Sequence, residues 1–443
     1  MSRYLGIDLG TTYFKAGVYD ADGRLCGLGR ESVPKVCEGA RCELPVADFW
    51  KAVQSAISQA LSDAGIPASA IDAVSYSSQA NSFVLLDASL EALTPLVLWS
   101  DTRARGGCPS LATIASRPGF MEKTGLGIVA NEEFMPAKLE WFRSNCPQIW
   151  SRTAYVMTIS DYLVYGLTGS RVGDRSTAAM TALLDVPAGA WWPEALEAFG
   201  LKEDMLSTPL PSGTLAGRVS GSGASLAGLK EGTPLYLGCL DHYAVAIGAG
   251  ILAGRRLSES TGTVLACVAY REGYAPRKGV ITGPGVDGGH YFQMAFDSNG
   301  ATAVEWYQKN YAPDKTILQL EDEARRVPAG CDGLKALPRS DTYPGLEGFR
   351  NVRPEHTPAH FLRAIFVSTA ESLVALVDAL DPEGQFTEVI PSGGGARNTL
   401  WLDIKADMLH RRYLPQASGE LATKGAAMIC RGNVDVRIEP EGR

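Results

Sequence analysis

The stretch Asp8-Leu9-Gly10-Thr11-Thr12 lies between two strand-like runs, Tyr4-Leu5-Gly6-Ile7-Asp8 and Phe14-Lys15-Ala16-Gly17-Val18-Tyr19. A glycine in a tight turn lets the backbone come close to a ligand. The hydroxyls of Thr11 and Thr12 can donate to phosphate oxygens, and Lys15 adds a point charge. Asp8, at the end of the first strand, is placed to hold Mg2+ through water. The competing reading is an ordinary polar hairpin in which Asp8 caps the turn.

Outward from this turn, Asp22-Gly23 signals a hairpin that returns the chain through Arg24 to Leu28. A helix is predicted over 46–64, with Phe49, Val53, Ile57 and Leu61 on one face and Pro45 at its start. Runs 73–76 and 83–86 read as strands. The pattern then recurs. Ser258 to Thr263 followed by Val264 to Ala269 forms a second strand-turn-strand, with Gly262 and Thr263 in the turn. A long helix is predicted over 358–380. A third turn, Gly393-Gly394-Gly395-Ala396, follows Val389-Ile390 and opens a helix with Asn398 near its start. Such a turn suits a nucleotide packed against backbone. Neither a GxxxxGK[ST] loop nor a GxGxxG fingerprint is present. The sequence therefore predicts two α/β domains, 1–252 and 253–443, hinged at Ala253-Gly254-Arg255-Arg256, with a nucleotide in the cleft between them. The Gly- and Ser-rich residues 213–233 read as a surface excursion.

Composition narrows the partners. At 443 residues, 45% hydrophobic and 20% charged, the chain has the balance of a globular protein of two domains. A net charge of −8 leaves no basic stripe for nucleic acid. Nine cysteines are scattered singly without a CxxC, so they read as reduced, mostly buried thiols. His356 and His360 are four apart, but Thr357-Pro358 reads as a helix start that leaves His356 outside. The longest apolar stretch is taken as Ala244 to Ala253, too short to span a membrane. The start, MSRYLGIDLGTT, leaves no room for a signal peptide or a leading DNA-reading domain, so the expected location is cytoplasmic.

The three turns in this order resemble those of the actin, hexokinase and heat-shock ATPase superfamily, whose domains are actin-like (ribonuclease H-like). The intervening residues resemble the FGGY carbohydrate kinases, closest to the xylulokinase type. The resemblance rests on Ser78-Gln79 leading to Leu85-Leu86-Asp87, and on Leu98-Trp99-Ser100-Asp101-Thr102-Arg103. It rests also on Lys138-Leu139-Glu140-Trp141, Ser160-Asp161-Tyr162-Leu163, Asp174 to Ala179, and Gly238-Cys239-Leu240-Asp241-His242 through Gly250. It covers most of the chain and implies ATP and Mg2+ as cofactors and a small sugar or polyol as substrate. It implies Asp241 as general base and Asp8 near the metal. Thr11, Thr12, Lys15, Gly262 and Thr263 would contact the phosphates, and Gly394, Gly395, Ala396 and Asn398 would line the adenosine side. Gln79, Asn81, Asp101, Arg103, Asp241 and His242 fall where the family approaches its sugar. Asp101 and Arg103 equally read as a pair bonded to each other behind the pocket.

There are departures from the family pattern. Gln79-Ala80-Asn81-Ser82 stands where xylulokinases resemble one another in Gln-Met-His-Gly, which puts D-xylulose in doubt. Residues 331–356 are reduced relative to the usual loop. The expected activity is phosphorylation of a pentulose, tetritol or similar compound by ATP, with domain closure expelling water. The alternatives are a nucleotide-hydrolysing switch and a catalytically silent sugar-binding regulator on the same scaffold. A homodimer is the macromolecular assembly carried forward.

Overall fold

The computed structural model of the chain describes residues 2–262, 264–338, 346–416 and 420–430. Strands β1 (Arg3–Leu9), β2 (Tyr13–Asp20) and β3 (Leu25–Ser32) open the chain, followed by helix α1 (Val46–Ala64) and strand β4 (Ala73–Ser78). Strands β5 (Leu215–Arg218), β6 (Pro234–Tyr236) and β7 (Cys239–Leu240) then lead into α2 (Asp241–Gly248). Next come β8 (Arg256–Thr261), β9 (Leu265–Glu272), β10 (His290–Asp297) and the long helix α3 (Pro358–Leu380). The chain continues through β11 (Glu388–Ser392), α4 (Thr399–Leu409), β12 (Arg412–Tyr413) and α5 (Leu421–Cys430).

The residues form two compact units, and the boundary is not the single cut after 252 that the sequence suggested. The first unit takes residues up to 248 together with 270–292 and those from 420 on; the second takes 249–269 and 293–419. Residues 270–292 belong to the first unit although they lie between two segments of the second, and α5 belongs to the first although it follows the second in the chain.

The first unit is built on a sheet in the order β5-β6-β4-β1-β2-β3, with β7 also pairing β4. β1 is antiparallel to β2 and parallel to β4. Successive residues of a strand face opposite sides of the sheet, so glycines on opposite faces reveal what covers each. A Cβ on Gly29 would lie 1.8 Å from the carbonyl oxygen of Ala56 in α1, and one on Gly6 would lie 1.9 Å from that of Thr423 in α5. The two helices therefore cover opposite faces, each closer than any side chain would allow. Between α1 and the sheet lie Phe14, Phe49, Val53 and Ile57, all at most 1% exposed.

Residues 213–233 are not a surface excursion. They contain edge strand β5, paired antiparallel with β6, and a helix, Gly221–Ala227, capped by the Ser220 hydroxyl. The hairpin Val36–Glu38 with Arg41–Leu44 joins Cys37 to Cys42 by a disulfide, which corrects the all-thiol reading for this pair.

The second unit repeats the plan. β8 is antiparallel to β9 and parallel to β11, in a sheet whose order runs β10-β9-β8-β11-β12, with a sixth strand, Ile281–Pro284, at the edge beside β10. Helix α3 spans 23 residues with a mean hydropathy of 1.4 over its most apolar window, so among the described residues it, and not 244–253, is the segment of membrane-spanning length. Its buried Leu362, Ile365, Phe366, Thr369, Leu373 and Val377 recur at helical spacing, and the first three join a core with Tyr307, Leu320 and Trp401. Of the shortened loop, 339–345 lie outside the described residues, and the flanks pair as Lys335–Pro338 with Leu346–Arg350. His360 closes a capping box with Thr357 and meets Asp332 at 3.0 Å, while His356 Nδ1 accepts the Arg353 N–H.

Candidate active site

β1, β4 and β7 are parallel neighbours, with Asp8 opposite Ser77 and Ser77 opposite Cys239. Their carboxyl ends place three pieces side by side: the Gly10 turn, Gln79, and Asp241 at the start of α2. Open α/β sheets bind ligands at this edge.

Asp8 is 7% exposed, and the Ser77 hydroxyl donates to its Oδ1 at 2.9 Å. Burial raises its carboxyl to about 6; Lys15 opposes the shift, and the charges of Asp241 and Glu420 add to it. A buried carboxylate flanked by other carboxylates is a group that a divalent cation would stabilise. Asp8 thus fits the expected metal role, although the described residues contain no group of three or more metal-ligating side chains.

Asp241 and His242 are half-buried, and Asp241 Oδ1 accepts the His242 N–H at 2.7 Å. The approach to Asp241 is braced from behind. The Leu240 N–H donates to Ser176 Oγ at 2.8 Å, and Ser176 donates to Asp174 Oδ1 at 2.6 Å. Asp174 also accepts from the Tyr76 hydroxyl at 3.0 Å and the Thr177 hydroxyl at 2.7 Å. Burial raises the Asp174 carboxyl, and these hydrogen bonds oppose the rise.

In the turn, Thr11 Oγ1 accepts the Trp99 indole N–H at 2.9 Å, and Thr12 is exposed. Lys15 is paired with Glu420 at 2.8 Å, a partner supplied by the end of the chain that the sequence did not suggest.

The expected sugar-side residues are largely turned to the protein itself. Gln79 donates to the Gly10 carbonyl at 3.1 Å and accepts from Ser82 Oγ at 2.9 Å. Asn81 donates to the Met180 carbonyl at 3.1 Å and accepts the Met135 N–H at 2.9 Å, with its own φ at 61°. Asp101, fully buried, accepts from Arg103 Nη2 at 2.7 Å and from the Cys42 N–H at 2.7 Å. Arg103 also bonds Glu43. Of the two readings of Asp101 and Arg103, the structure has the mutual pair. Burial pushes the Asp101 carboxyl up, but the forked hydrogen bonds from Arg103 and the Cys42 N–H outweigh it and hold the carboxyl below its ordinary value, and the pair fixes the loop 98–103.

In the second unit, Thr263 lies outside the described residues. Gly262 follows β8, and its carbonyl accepts the Ala301 N–H at 2.8 Å. β8 and β11 run parallel, with Ser260 opposite Ser392, so the Gly262 and Gly393 turns are adjacent. A Cβ on Gly393 would stand 2.7 Å from the Thr261 carbonyl, and its φ of 78° also requires glycine. Gly262 and Gly394 differ, since a Cβ there would meet nothing within 4 Å among the described residues. Gly395 packs on Thr261, and Ala396 sits in the short helical turn Gly394–Arg397. Asn398 is the N-cap of α4, its side chain accepting the Trp401 N–H at 2.9 Å, so its carbonyl oxygen is committed to the helix rather than to a ligand. Beneath the turn, Lys405 and Glu259 form a fully buried ion pair at 3.0 Å, and Lys405 also donates to Thr261 Oγ1. Nothing in the sequence pattern singled out Lys405 or Glu420, and Glu259 and Ser176 stood in quoted stretches without a role of their own. Trp99, Lys138 and Asp174 stood inside motifs already quoted, which was the available signal.

Comparison with known proteins bears on this geometry. Residues 3–248 match the N-terminal domain, and 285–431 the C-terminal domain, of the FGGY family of carbohydrate kinases. The chain is 28% identical to the xylulose kinase of Bacillus subtilis (strain 168), over 97% of this chain and 88% of that protein. It is 26% identical to the autoinducer-2 kinase of Klebsiella pneumoniae, over 92% of this chain and 81% of that one. The crystal structure of a ligand-bound xylulose kinase from Lactobacillus acidophilus superposes with a TM-score of 0.87 at 22% identity, covering 98% and 91% of the two chains. Two domain matches that between them span most of the sequence, on a repeated α/β plan, leave one assignment: the chain belongs to the FGGY family of carbohydrate kinases.

Proposed function

We propose that this protein transfers the γ-phosphoryl group of ATP to a hydroxyl of a ketopentose, a tetritol or a compound of similar size, with Asp241 as general base. The observation that carries this is the placement of Asp241 at the carboxyl edge of β7, on the same edge of the sheet as Asp8 and the Gly10 turn with only β4 between the two strands. Asp241 takes the acceptor's hydroxyl proton as its oxygen bonds to phosphorus and the bond to the ADP oxygen breaks. Phosphoryl transfer asks a protein mainly for positioning and charge stabilisation. Thr11, Thr12 and Lys15 are assigned to the phosphates in the first unit. In the second unit, Gly262 and Gly394 are bare of side chains without any packing or φ that requires it, which supports close approach of a nucleotide to their backbone. Mg2+ held through Asp8 would supply neutralisation of charge on the phosphoryl oxygens. With the amides of Gln79 and Asn81 engaged by main chain, acceptor recognition is assigned to Asp241 and His242.

The test is a coupled ADP-release screen across ketopentoses, pentitols, tetritols and glycerol, run on the wild type and on Asp241→Asn. The variant is expected to keep ATP binding and to lose about 10²–10⁴ in kcat on the best acceptor. Half of wild-type turnover in the variant would remove Asp241 from the mechanism. A nucleotide-hydrolysing switch would instead release ADP at the same rate with and without every acceptor.

A further inference from the structure

The phosphate turn of the first unit is closed into a ring of hydrogen bonds that runs through the loops beside it. Gln79 Nε2 donates to the Gly10 carbonyl at 3.1 Å, and Gln79 Oε1 accepts from Ser82 Oγ at 2.9 Å. Ser82 Oγ in turn accepts the Trp99 main-chain N–H at 2.9 Å. The Trp99 indole N–H returns to the turn at Thr11 Oγ1, also at 2.9 Å. Residues 10 and 11 are thus gripped from two sides by a single circuit. Trp99 is itself held from outside, because the fully buried Lys138 Nζ donates to the carbonyls of Leu98 at 3.1 Å and Trp99 at 2.8 Å.

The direction of these bonds matters. An indole N–H can only donate, so Thr11 Oγ1 is the acceptor in that contact. Its own proton is then directed elsewhere, and a hydroxyl that accepts one hydrogen bond is polarised as a donor of the next. We propose that Trp99 is a positioning residue for phosphoryl transfer, its indole N–H fixing the Thr11 hydroxyl as a donor to a phosphoryl oxygen. This rests on the assignment of Thr11 to the phosphates.

The test is a double-mutant cycle, since only coupling separates action through Thr11 from a general loosening of the loop. Trp99→Phe keeps an aromatic side chain and removes the donor. It is expected to lower kcat/KM for ATP about fivefold, the scale of one neutral hydrogen bond, with KM for the sugar changed by less than about twofold. The same loss is expected in a Thr11→Ser background, which keeps the hydroxyl, and no further loss in Thr11→Val. A fivefold loss that persists in Thr11→Val, or no loss in Trp99→Phe, overturns the proposal while leaving Thr11 as a phosphate contact. Wild-type kinetics in Thr11→Val alone overturn that assignment and the proposal together. If thermal melting shows Trp99→Phe unfolded, Ser82→Ala opens the same ring with the indole in place. Its loss in kcat/KM for ATP should likewise vanish in Thr11→Val, and an additive loss sinks the proposal.

Discussion

Asp8 carries a conflict between folding and function. Its carboxyl titrates near 6 in the fold because burial disfavours the charge. Between the ordinary carboxylate value and about 6, the folded chain binds more protons than the unfolded one, so stability falls as pH rises through that window. Above it, the cost stays constant. Asp8→Asn should therefore raise the melting temperature at pH 7, by an amount equivalent to about 1–3 kcal/mol, and lose that advantage near pH 4. The same variant should turn over poorly and require more Mg2+. A neutral or destabilising substitution at pH 7 would show that the Asp8 carboxylate is better accommodated than its burial indicates. Asn81 makes the opposite point about reading a sequence. The motif comparison put it on the sugar, yet its amide ties Met135 to Met180 and its backbone is left-handed. Asn81→His should cost about 2–4 kcal/mol by chemical denaturation, from two lost hydrogen bonds and strained backbone, and should not create a xylulose preference. The Gly10 and Gly394 turns were legible because their signal is local. The partners of Thr11 and Lys15 were not, because Trp99 lies 88 residues away and Glu420 405 away.

At the scale of elements, helix α5 seats against both the sheet and α2. A Cβ on Gly425 would fall 1.9 Å from the Ala244 carbonyl, and one on Gly248 would fall 2.1 Å from that of Leu421. The two helices cross with backbone against backbone, and α2 carries Asp241 at its first residue. Gly425→Ala must push them apart. We expect a loss of at least about 1–3 kcal/mol, the usual scale of overpacking, together with a fall in kcat larger than any change in KM for ATP. Unchanged turnover in a destabilised variant would mean that α2 keeps its alignment without this contact. The sequence reading found α1 and α3 from periodicity, and both begin and end where the pattern predicted. It missed β5 because a strand with Gly217 at a register shift has the composition of a loop. It placed residues 421–430 in the second domain by chain order, since order along the chain does not record against which sheet a helix packs.

For the whole molecule, the same plan is used twice: an antiparallel pair with a glycine turn, then a parallel strand on the other side of the first. The chain returns to the first unit after completing most of the second, so residues 1–252 are not a self-sufficient domain. A fragment ending at 252 lacks α5, which covers Gly6 and bonds Tyr19 through Thr423 at 2.7 Å. Such a fragment should show no cooperative melting transition and should bind a dye for exposed apolar surface. A sharp transition like that of the full chain would contradict the role given to α5. Tyr19 and Thr423 are 404 residues apart. The ribosome delivers Tyr19 long before Thr423, and domains in general fold as they emerge. Here the sheet that carries the candidate base has to wait, with one face uncovered, until the 404 residues that separate Tyr19 from Thr423 have been translated. A stop codon anywhere before residue 420 would release a chain whose first-made half was never closed.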